Sequence, residues 1–265
     1  MFLMKGLSLF DLTGKVAVVT GGAGLYGKQI VRALASCGAT VYMASRSIEK
    51  NIGVASEIQK ETCGRVIPEK LDLLSEESIL ALHKRIEEKE GKIDILVNNA
   101  VLRCTSGYTD TAEKFSMSMQ ANATGLFIIS RIFGDSMAKN GGGSIINIGS
   151  YMGILGPDYS LYEDTSMNQS GAPGDYFFHK GGMTNYTKFL AGHYGKHNVR
   201  CNCLELGGLF SNQPEKFVER YCKKTMLGRM ANDTDIMGAI IYFASDASAY
   251  VTGVCFPIDG GYSAK

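Results

Sequence analysis

Short apolar runs alternate with longer amphipathic segments along most of this 265-residue chain. The runs at residues 15–20, 39–45, 65–72, 92–100 and 143–150 predict strands, and the segments between them have helical spacing. Successive strand–helix–strand units need right-handed crossovers, so the strands must be parallel with helices on both faces of the sheet. The chain is therefore predicted to be an α/β protein with a doubly wound parallel sheet.

The second half of the chain continues this pattern. A helix is predicted at 176–196, a strand at 198–205, a loop-rich, lid-like region at 210–230, a helix at 234–244 and a last strand at 254–259. A sheet of this kind binds dinucleotides at the carboxyl ends of its strands, which makes the predicted fold Rossmann-type.

Residues 1–265 are predicted to form one domain, because 45% hydrophobic residues suffice for a single core. Residues 1–11 are interpreted as a lead-in arm and residues 151–175 as a long, polar, tyrosine-rich loop. Loops of this length often carry function.

Charge and cysteine usage exclude several partner classes. The net charge is +1 without a run of Lys or Arg, so neither nucleic acid nor a membrane surface is predicted as a partner. No segment has the roughly 20 consecutive apolar residues of a membrane span. The seven cysteines lack metal-site spacing, so no metal is predicted and reduced thiols in the cytoplasm are expected. The partner class that remains is a small-molecule substrate.

A glycine-rich stretch, TGGAGLYG at 20–27, follows the first strand and opens the first helix. Small residues there let a pyrophosphate approach backbone N–H groups at the helix N-terminus. Such a stretch can also be a simple tight turn, but its position between a strand and an amphipathic helix favours a dinucleotide site.

The second strand ends in Ala44-Ser45-Arg46, without the acidic residue that usually binds the ribose hydroxyls of NAD. Ser45 and Arg46 can both bind a 2′-phosphate, so NADP(H) is favoured over NAD(H). The alternative is that Arg46 stacks on adenine or is solvated.

Tyr176 and Lys180 form a Y-x-x-x-K pair that opens a helix, and their i, i+4 spacing places both side chains on one face. A neighbouring ammonium is expected to lower the pKa of the phenol. His179 is expected to point away from this pair and to have a structural or subunit-contact role.

In these features the chain resembles the short-chain dehydrogenase/reductase family, over residues 12–262. The family's glycine pattern is present except that Leu25 replaces the middle glycine. Asn98-Asn99-Ala100 matches a family motif, with Val101 in place of its glycine, and Leu206 replaces the family's proline after the sixth strand.

The resemblance implies four catalytic residues. Tyr176 would pass the proton, Lys180 would hold the ribose and lower the tyrosine pKa, Ser150 would polarise the substrate oxygen, and Asn122 would hold a water. Asp72 would meet the adenine amino group, and Asn98 would tie strands together. The implied cofactor-binding residues are Gly21, Gly24, Leu25, Tyr26, Gly27, Ser45, Arg46, Asp72, Leu73, Asn98, Ala100, Tyr176, Lys180, Gly207 and Gly208.

The loop at 151–175 is longer than the family commonly has and is predicted to cover the substrate. Arg103 is predicted to bind an anionic substrate group, and the loop is expected to give the pocket a polar wall. The loop residues expected at the substrate are Tyr151, Asp158, Tyr159, Tyr162, Glu163 and Asn168.

The resemblance implies an NAD(P)-dependent oxidoreductase acting on a secondary alcohol or ketone of a sugar, sugar acid or polyol. Family members of this type include gluconate 5-dehydrogenases and surface-glycan sugar oxidoreductases, and a homotetramer or homodimer is expected. Two alternatives stay open: a 3-oxoacyl-carrier-protein reductase and a non-catalytic nucleotide-binding regulator.

Overall fold

A computed structural model describes residues 6–167 and 171–264. Seven parallel strands form one sheet in the order β3-β2-β1-β4-β5-β6-β7, which confirms the predicted doubly wound fold. The strands are β1 Val16–Thr20, β2 Thr40–Ser45, β3 Arg65–Lys70, β4 Ile95–Asn98, β5 Gly143–Ile148, β6 Val199–Leu206 and β7 Cys255–Ile258.

The helices follow the strands in the predicted alternation. They are α1 Leu25–Ser36, α2 Ile48–Thr62, α3 Glu76–Glu90, α4 Ala112–Met119, α5 Gly125–Lys139, α6 Gly174–Tyr194, α7 Glu215–Lys224 and α8 Met237–Ala244. A π-helical turn, Gln120–Thr124, joins α4 to α5. Such turns are rare and occur frequently at functional sites.

Helix α7 lies inside the region 210–230, which was predicted to be rich in loops. That prediction was incomplete, because the segment is strongly charged and has few apolar residues to reveal its period. Its two buried residues, Phe217 and Tyr221, have i, i+4 spacing and anchor one face of the helix.

Alternate strand residues supply two cores, one on each face of the sheet. Val19 packs with side chains of α1, α2 and α8, whereas Val18 packs with side chains of α3, α5 and α6. Both are fully buried. The helices thus cover both faces, and the strand ends remain accessible to a ligand.

The strand order reverses at β1, which pairs with both β2 and β4. Connections leave β1 and β4 toward opposite faces of the sheet, so a crevice opens beyond their carboxyl ends. This crevice is the place where a doubly wound sheet binds ligands.

Parts of two predicted segments lie outside the described residues: residues 1–5 of the arm, and residues 168–170, including Asn168, of the long loop. The described part of the arm contains a 3-10 helix, Gly6–Phe10. Among the described helices, none combines the length and the apolar character needed to cross a bilayer.

Candidate active site

One cavity of about 1100 Å³ opens at the carboxyl ends of the central strands. Most predicted site residues line it: Gly21, Gly24, Leu25, Tyr26, Ser45, Arg46, Asp72, Leu73, Ala100, Arg103, Ser150, Tyr151, Tyr162, Tyr176, Lys180, Gly207 and Gly208. Four do not line it: Gly27, Asn98, Asn122 and Tyr159.

The glycine-rich turn has the geometry that a pyrophosphate needs. Gly21 has φ +65°, a conformation that favours glycine, and a Cβ on Gly27 would lie 2.2 Å from the backbone oxygen of Gly21. Gly24 precedes α1 and gives it no side-chain cap, so the N–H groups of the first turn remain free to bind a phosphate. The turn therefore fits the phosphates of a dinucleotide.

Asn99, a member of the Asn98-Asn99-Ala100 motif for which no separate role was predicted, holds this turn in place. Its side-chain nitrogen donates to the backbone oxygens of Thr20 and Gly21, both at 3.0 Å. Asn98 points to the other side of the strand end and donates to Asn147 at 2.9 Å. The strand's alternation separates the two asparagines, so Asn98 supports the sheet behind the cavity and Asn99 supports the turn at the cavity.

The adenosine end of the cavity carries two cations, Arg46 and Lys50, and one carboxylate, Glu49. The Ser45 hydroxyl donates to Asn51 Oδ1 at 2.7 Å, whereas the exposed Arg46 has no hydrogen-bond partner among the described residues. Ser47, the N-cap of α2, and Lys50 line the same end. The sequence interpretation missed the last two, because their proximity depends on where α2 starts.

Tyr176 and Lys180 lie on α6 beside the end of β5, with Lys180 Nζ 5.8 Å from the centre of the Tyr176 ring. Lys180 is buried and donates to the backbone oxygen of Ile148 at 2.5 Å. Ser150 follows β5 two residues later and faces the same cavity. The three side chains therefore converge on one cavity, as the family resemblance implies.

The pKa of Tyr176 differs from the value expected from the sequence. Burial raises the pKa of Tyr176 above its ordinary value, while the Ser150 hydroxyl and the Arg103 guanidinium oppose this rise. A lowered pKa was predicted, and that prediction was wrong because desolvation of the phenolate outweighs its neighbours. Burial also lowers the pKa of Lys180 to about 8. At neutral pH Tyr176 is thus a phenol that can donate a proton.

Asn122 lies in the π-helical turn and bridges to the segment after β4. Its Oδ1 accepts from Leu102 N at 2.9 Å, and its Nδ2 donates to Leu102 O at 2.8 Å. The amide also donates to Ser118 Oγ at 3.1 Å, and Ser118 donates to the buried Asp175 at 2.5 Å. Asp175, beside Tyr176 in sequence, gave no signal of burial because a lone carboxylate usually marks the surface.

His179 contacts Tyr176, contrary to the expectation that it points away. Its ring packs edge-on against the phenol ring, with centroids 5.1 Å apart, because i, i+3 residues are neighbours on a helix. Burial lowers the pKa of His179 to about 3, so the imidazole is neutral. It supports one side of the tyrosine ring.

The long loop packs against α7. Tyr162 contacts Phe217 with ring centroids 5.4 Å apart, and Asp158 forms an ion pair with Lys224. Tyr151 is buried and lines the cavity, whereas Tyr159 is 53% exposed and lies outside it. The loop and α7 thus form a common wall of the cavity.

Arg103 extends from the segment after β4 over the Tyr176 ring, with its guanidinium carbon 5.2 Å from the ring centre. Its side chain is exposed, and within residues 6–167 and 171–264 no hydrogen-bond or ion-pair partner contacts its guanidinium. A cation without a partner beside the reacting groups can bind an anionic ligand.

Comparisons with known proteins agree with this geometry. The family model described as enoyl-(acyl carrier protein) reductase matches residues 24–263. A 7alpha-hydroxysteroid dehydrogenase of Clostridium sardiniense is 32% identical, with 95% of this chain and 94% of the relative covered. A galactitol 2-dehydrogenase (L-tagatose-forming) of Cereibacter sphaeroides is 29% identical, with 97% and 98% covered.

Solved structures are similar over the whole fold. A gluconate 5-dehydrogenase from Burkholderia cenocepacia J2315, in complex with NADP and tartrate, superposes with a TM-score of 0.87. It is 26% identical and covers 98% of this chain and 100% of its own.

Proposed function

Because this chain belongs to the short-chain dehydrogenase/reductase family, and so is an oxidoreductase acting on alcohols or ketones, we propose that it oxidises or reduces a sugar acid or polyol with NADP(H). The observation that carries this proposal is the convergence of Ser150, Tyr176 and Lys180 on a cavity that also contains the glycine-rich turn. When bound there, the nicotinamide supplies or accepts the hydride.

The protein's own residues handle the proton and the oxygen. In the proposed mechanism Tyr176 donates a proton to the substrate oxygen during reduction, which suits a buried phenol with a raised pKa. Ser150 orients that oxygen, and Lys180 holds positive charge beside the phenol and lines the cavity, where it would bind the ribose of the cofactor. Asn122 maintains the π-helical turn on which the neighbouring segment rests.

NADP(H) is the proposed cofactor because Arg46, which no described residue pairs with, Ser47 and Lys50 line the adenosine end of the cavity, where the two cations outnumber the one carboxylate, Glu49. The related gluconate 5-dehydrogenase structure, which contains NADP, supports this preference. Asp72, which follows β3, also lines the cavity.

Arg46→Ala is expected to weaken NADPH binding by about tenfold or more, since a charge-assisted bond to phosphate contributes roughly 1.5–3 kcal/mol. NADH binding should change much less, because NADH offers no 2′-phosphate. Fluorescence titration of both cofactors measures the two dissociation constants. Equal losses for the two cofactors would contradict the assignment of Arg46.

Sugar acids are the proposed substrate class because Arg103, which no described residue pairs with through a hydrogen bond or an ion pair, offers a cation beside Tyr176. The aromatic wall formed by Tyr151 and Tyr162 can pack against a sugar ring or chain. Tartrate in the related gluconate 5-dehydrogenase complex supports binding of a polyhydroxylated acid.

Arg103→Gln tests this substrate class. We expect KM for acidic substrates to rise about tenfold or more, while KM for neutral polyols changes little, because only the acids lose a charge-assisted bond. Steady-state kinetics on matched acidic and neutral substrates provide the measurement. Lys216→Gln, which neutralises an exposed lysine on α7, is the control. Parallel changes for both substrate types would exclude Arg103 as the anion site.

A 3-oxoacyl-carrier-protein-type reductase is the second candidate, favoured by the description of the matching family model. An acyl carrier protein is acidic, so its reductase needs a basic docking surface. Two lysines on α7 are instead paired: Lys216 with Asp164 and Lys224 with Asp158. This pairing favours the sugar-acid proposal.

We also propose that the enzyme is a cytoplasmic homo-oligomer. Phe127 on α5 and Phe178 and Phe189 on α6 are each at least 45% exposed, and exposed apolar side chains that cluster mark protein–protein interfaces. A second copy of the chain would cover them. Light scattering that finds only a monomer at micromolar concentration would overturn this assembly.

A further inference from the structure

A buried carboxylate that forms no direct ion pair with any described residue lies behind the candidate active site. Glu205, near the end of β6, has 0% exposure and lies on the sheet beside Ser150. Its Oε2 accepts from Ser150 N at 2.7 Å, and its Oε1 accepts from Thr184 Oγ1 at 2.7 Å and from Cys203 Sγ at 3.4 Å. The carboxylate therefore links β5 to α6.

The absence of a side chain at Gly149 leaves space for the Glu205 carboxylate. A Cβ at that position would lie 2.3 Å from Glu205 Oε2 and 2.7 Å from Cys203 Sγ. Contacts that short do not occur, so a side chain at 149 would displace the carboxylate. The buried position of the Glu205 carboxylate therefore depends on a glycine at 149.

Lys180, which lies on α6 one turn before Thr184, contacts the same segment at the end of β5. Its ammonium donates to the backbone oxygen of Ile148, and Glu205 accepts from the backbone nitrogen of Ser150. Residues 148–150, at the end of β5 and just beyond it, are therefore held by a buried ammonium at Ile148 and a buried carboxylate at Ser150. The orientation of the Ser150 hydroxyl depends on this segment.

Few other ionisable groups face Glu205. Lys180 and Tyr176 approach from α6, the Cys203 thiol from β6 and the Cys255 thiol from β7. Within the described part of the chain, no lysine, arginine or histidine nitrogen lies within 4.0 Å of its carboxylate, so no direct ion pair neutralises it. Lys180 is the buried cation available to balance its charge.

We propose that Glu205 is a positioning residue, which clamps the end of β5 to α6 and supplies the counter-charge for the buried ammonium of Lys180. This inference rests on the proposed function only in taking Lys180 as part of the active site. It adds a residue to the site that neither the glycine pattern nor the tyrosine–lysine pair indicates.

The direction of the expected effect follows from the charges. A negative carboxylate favours the protonated form of Lys180 and disfavours the phenolate of Tyr176, so it raises both pKa values. Removing that charge must lower the pKa of Lys180 further below its ordinary value. The ammonium would then be lost at a lower pH.

Glu205→Gln removes the charge and preserves the shape. The amide oxygen can still accept from Ser150 N, and the amide nitrogen can donate to Thr184 Oγ1, whose proton can turn to the Lys180 backbone oxygen, 3.1 Å away. Structural effects of the substitution are therefore small. Thr184→Val is the matched variant, because it removes one hydrogen bond and keeps the charge.

The experiment is an NMR titration of the Lys180 ammonium in isotope-labelled full-length protein, with Lys180→Met used for the assignment. We expect the midpoint to fall by about one pH unit or more in Glu205→Gln, the size of shift that a buried neighbouring charge produces. Thr184→Val and the exposed control Glu219→Gln should keep the wild-type midpoint. Should Glu205→Gln not fold, Glu205→Ala must show the same fall.

An unchanged midpoint in the folded glutamine variant would overturn the inference, as would an equal fall in Thr184→Val. The titration requires no turnover, so it separates this inference from the proposed function. A lack of turnover of any sugar acid or polyol with NADP(H) would refute the proposed function and leave the role of Glu205 as a counter-charge intact.

Discussion

Tyr176→Phe is expected to lower kcat by about 10²–10⁴-fold, the range that a positioned general acid contributes. The substitution removes the phenolic hydroxyl, which is the proton donor placed beside Ser150 in the cavity. The phenyl ring keeps its edge-on contact with His179, so the melting temperature should stay close to that of the wild type. The cofactor dissociation constant should also change little.

Tyr186→Phe provides a matched control for that experiment. Tyr186 lies on the same helix, its ring stacks on Phe189, and it does not line the cavity. Turnover of Tyr176→Phe at the level of Tyr186→Phe would show that another group transfers the proton.

Lys180→Met should lower kcat/KM by about 10²–10³-fold, because it removes the positive charge beside the phenol at nearly constant volume. The hydrogen bond from Lys180 to the backbone oxygen of Ile148 is lost as well, which loosens the segment that ends in Ser150. Cofactor binding should weaken too, since the ammonium faces the cavity. Steady-state kinetics and fluorescence titration measure the two effects.

Lys188→Met, an exposed lysine on the same helix, is the control for Lys180→Met. Its kinetic constants should match the wild type. Equal losses of kcat/KM in the two variants would contradict a specific role of Lys180 in the active site.

The sequence was sufficient for the sheet and for the convergence of the site. Parallel strands end at one edge, so residues that follow β1, β5 and β6 had to meet there. Three features lie next to a strand end or a helix end: the glycine-rich turn, Ser150, and the pair Tyr176 and Lys180. An error of one or two residues in a predicted boundary therefore changes their expected positions little.

Other features depend on packing that local patterns do not encode. Helix α7 was missed because only Phe217 and Tyr221 anchor it, and Tyr159 was expected at the cavity although the loop turns it outward. The pKa direction of Tyr176 follows from burial, which the spacing to Lys180 does not reveal. Glu205 looks like a surface residue in sequence, because buried carboxylates are uncommon.

Turnover of a substrate panel with each cofactor is the most direct test of the proposed activity. The panel contains sugar acids, neutral polyols, nucleotide sugars and acyl thioesters, and the absorbance of the reduced nicotinamide reports the reaction. We expect oxidation of a polyhydroxylated acid with a preference for NADP, and its loss in Tyr176→Phe. Turnover confined to acyl thioesters, or oxidation of a sugar acid that persists in Tyr176→Phe, would contradict the account.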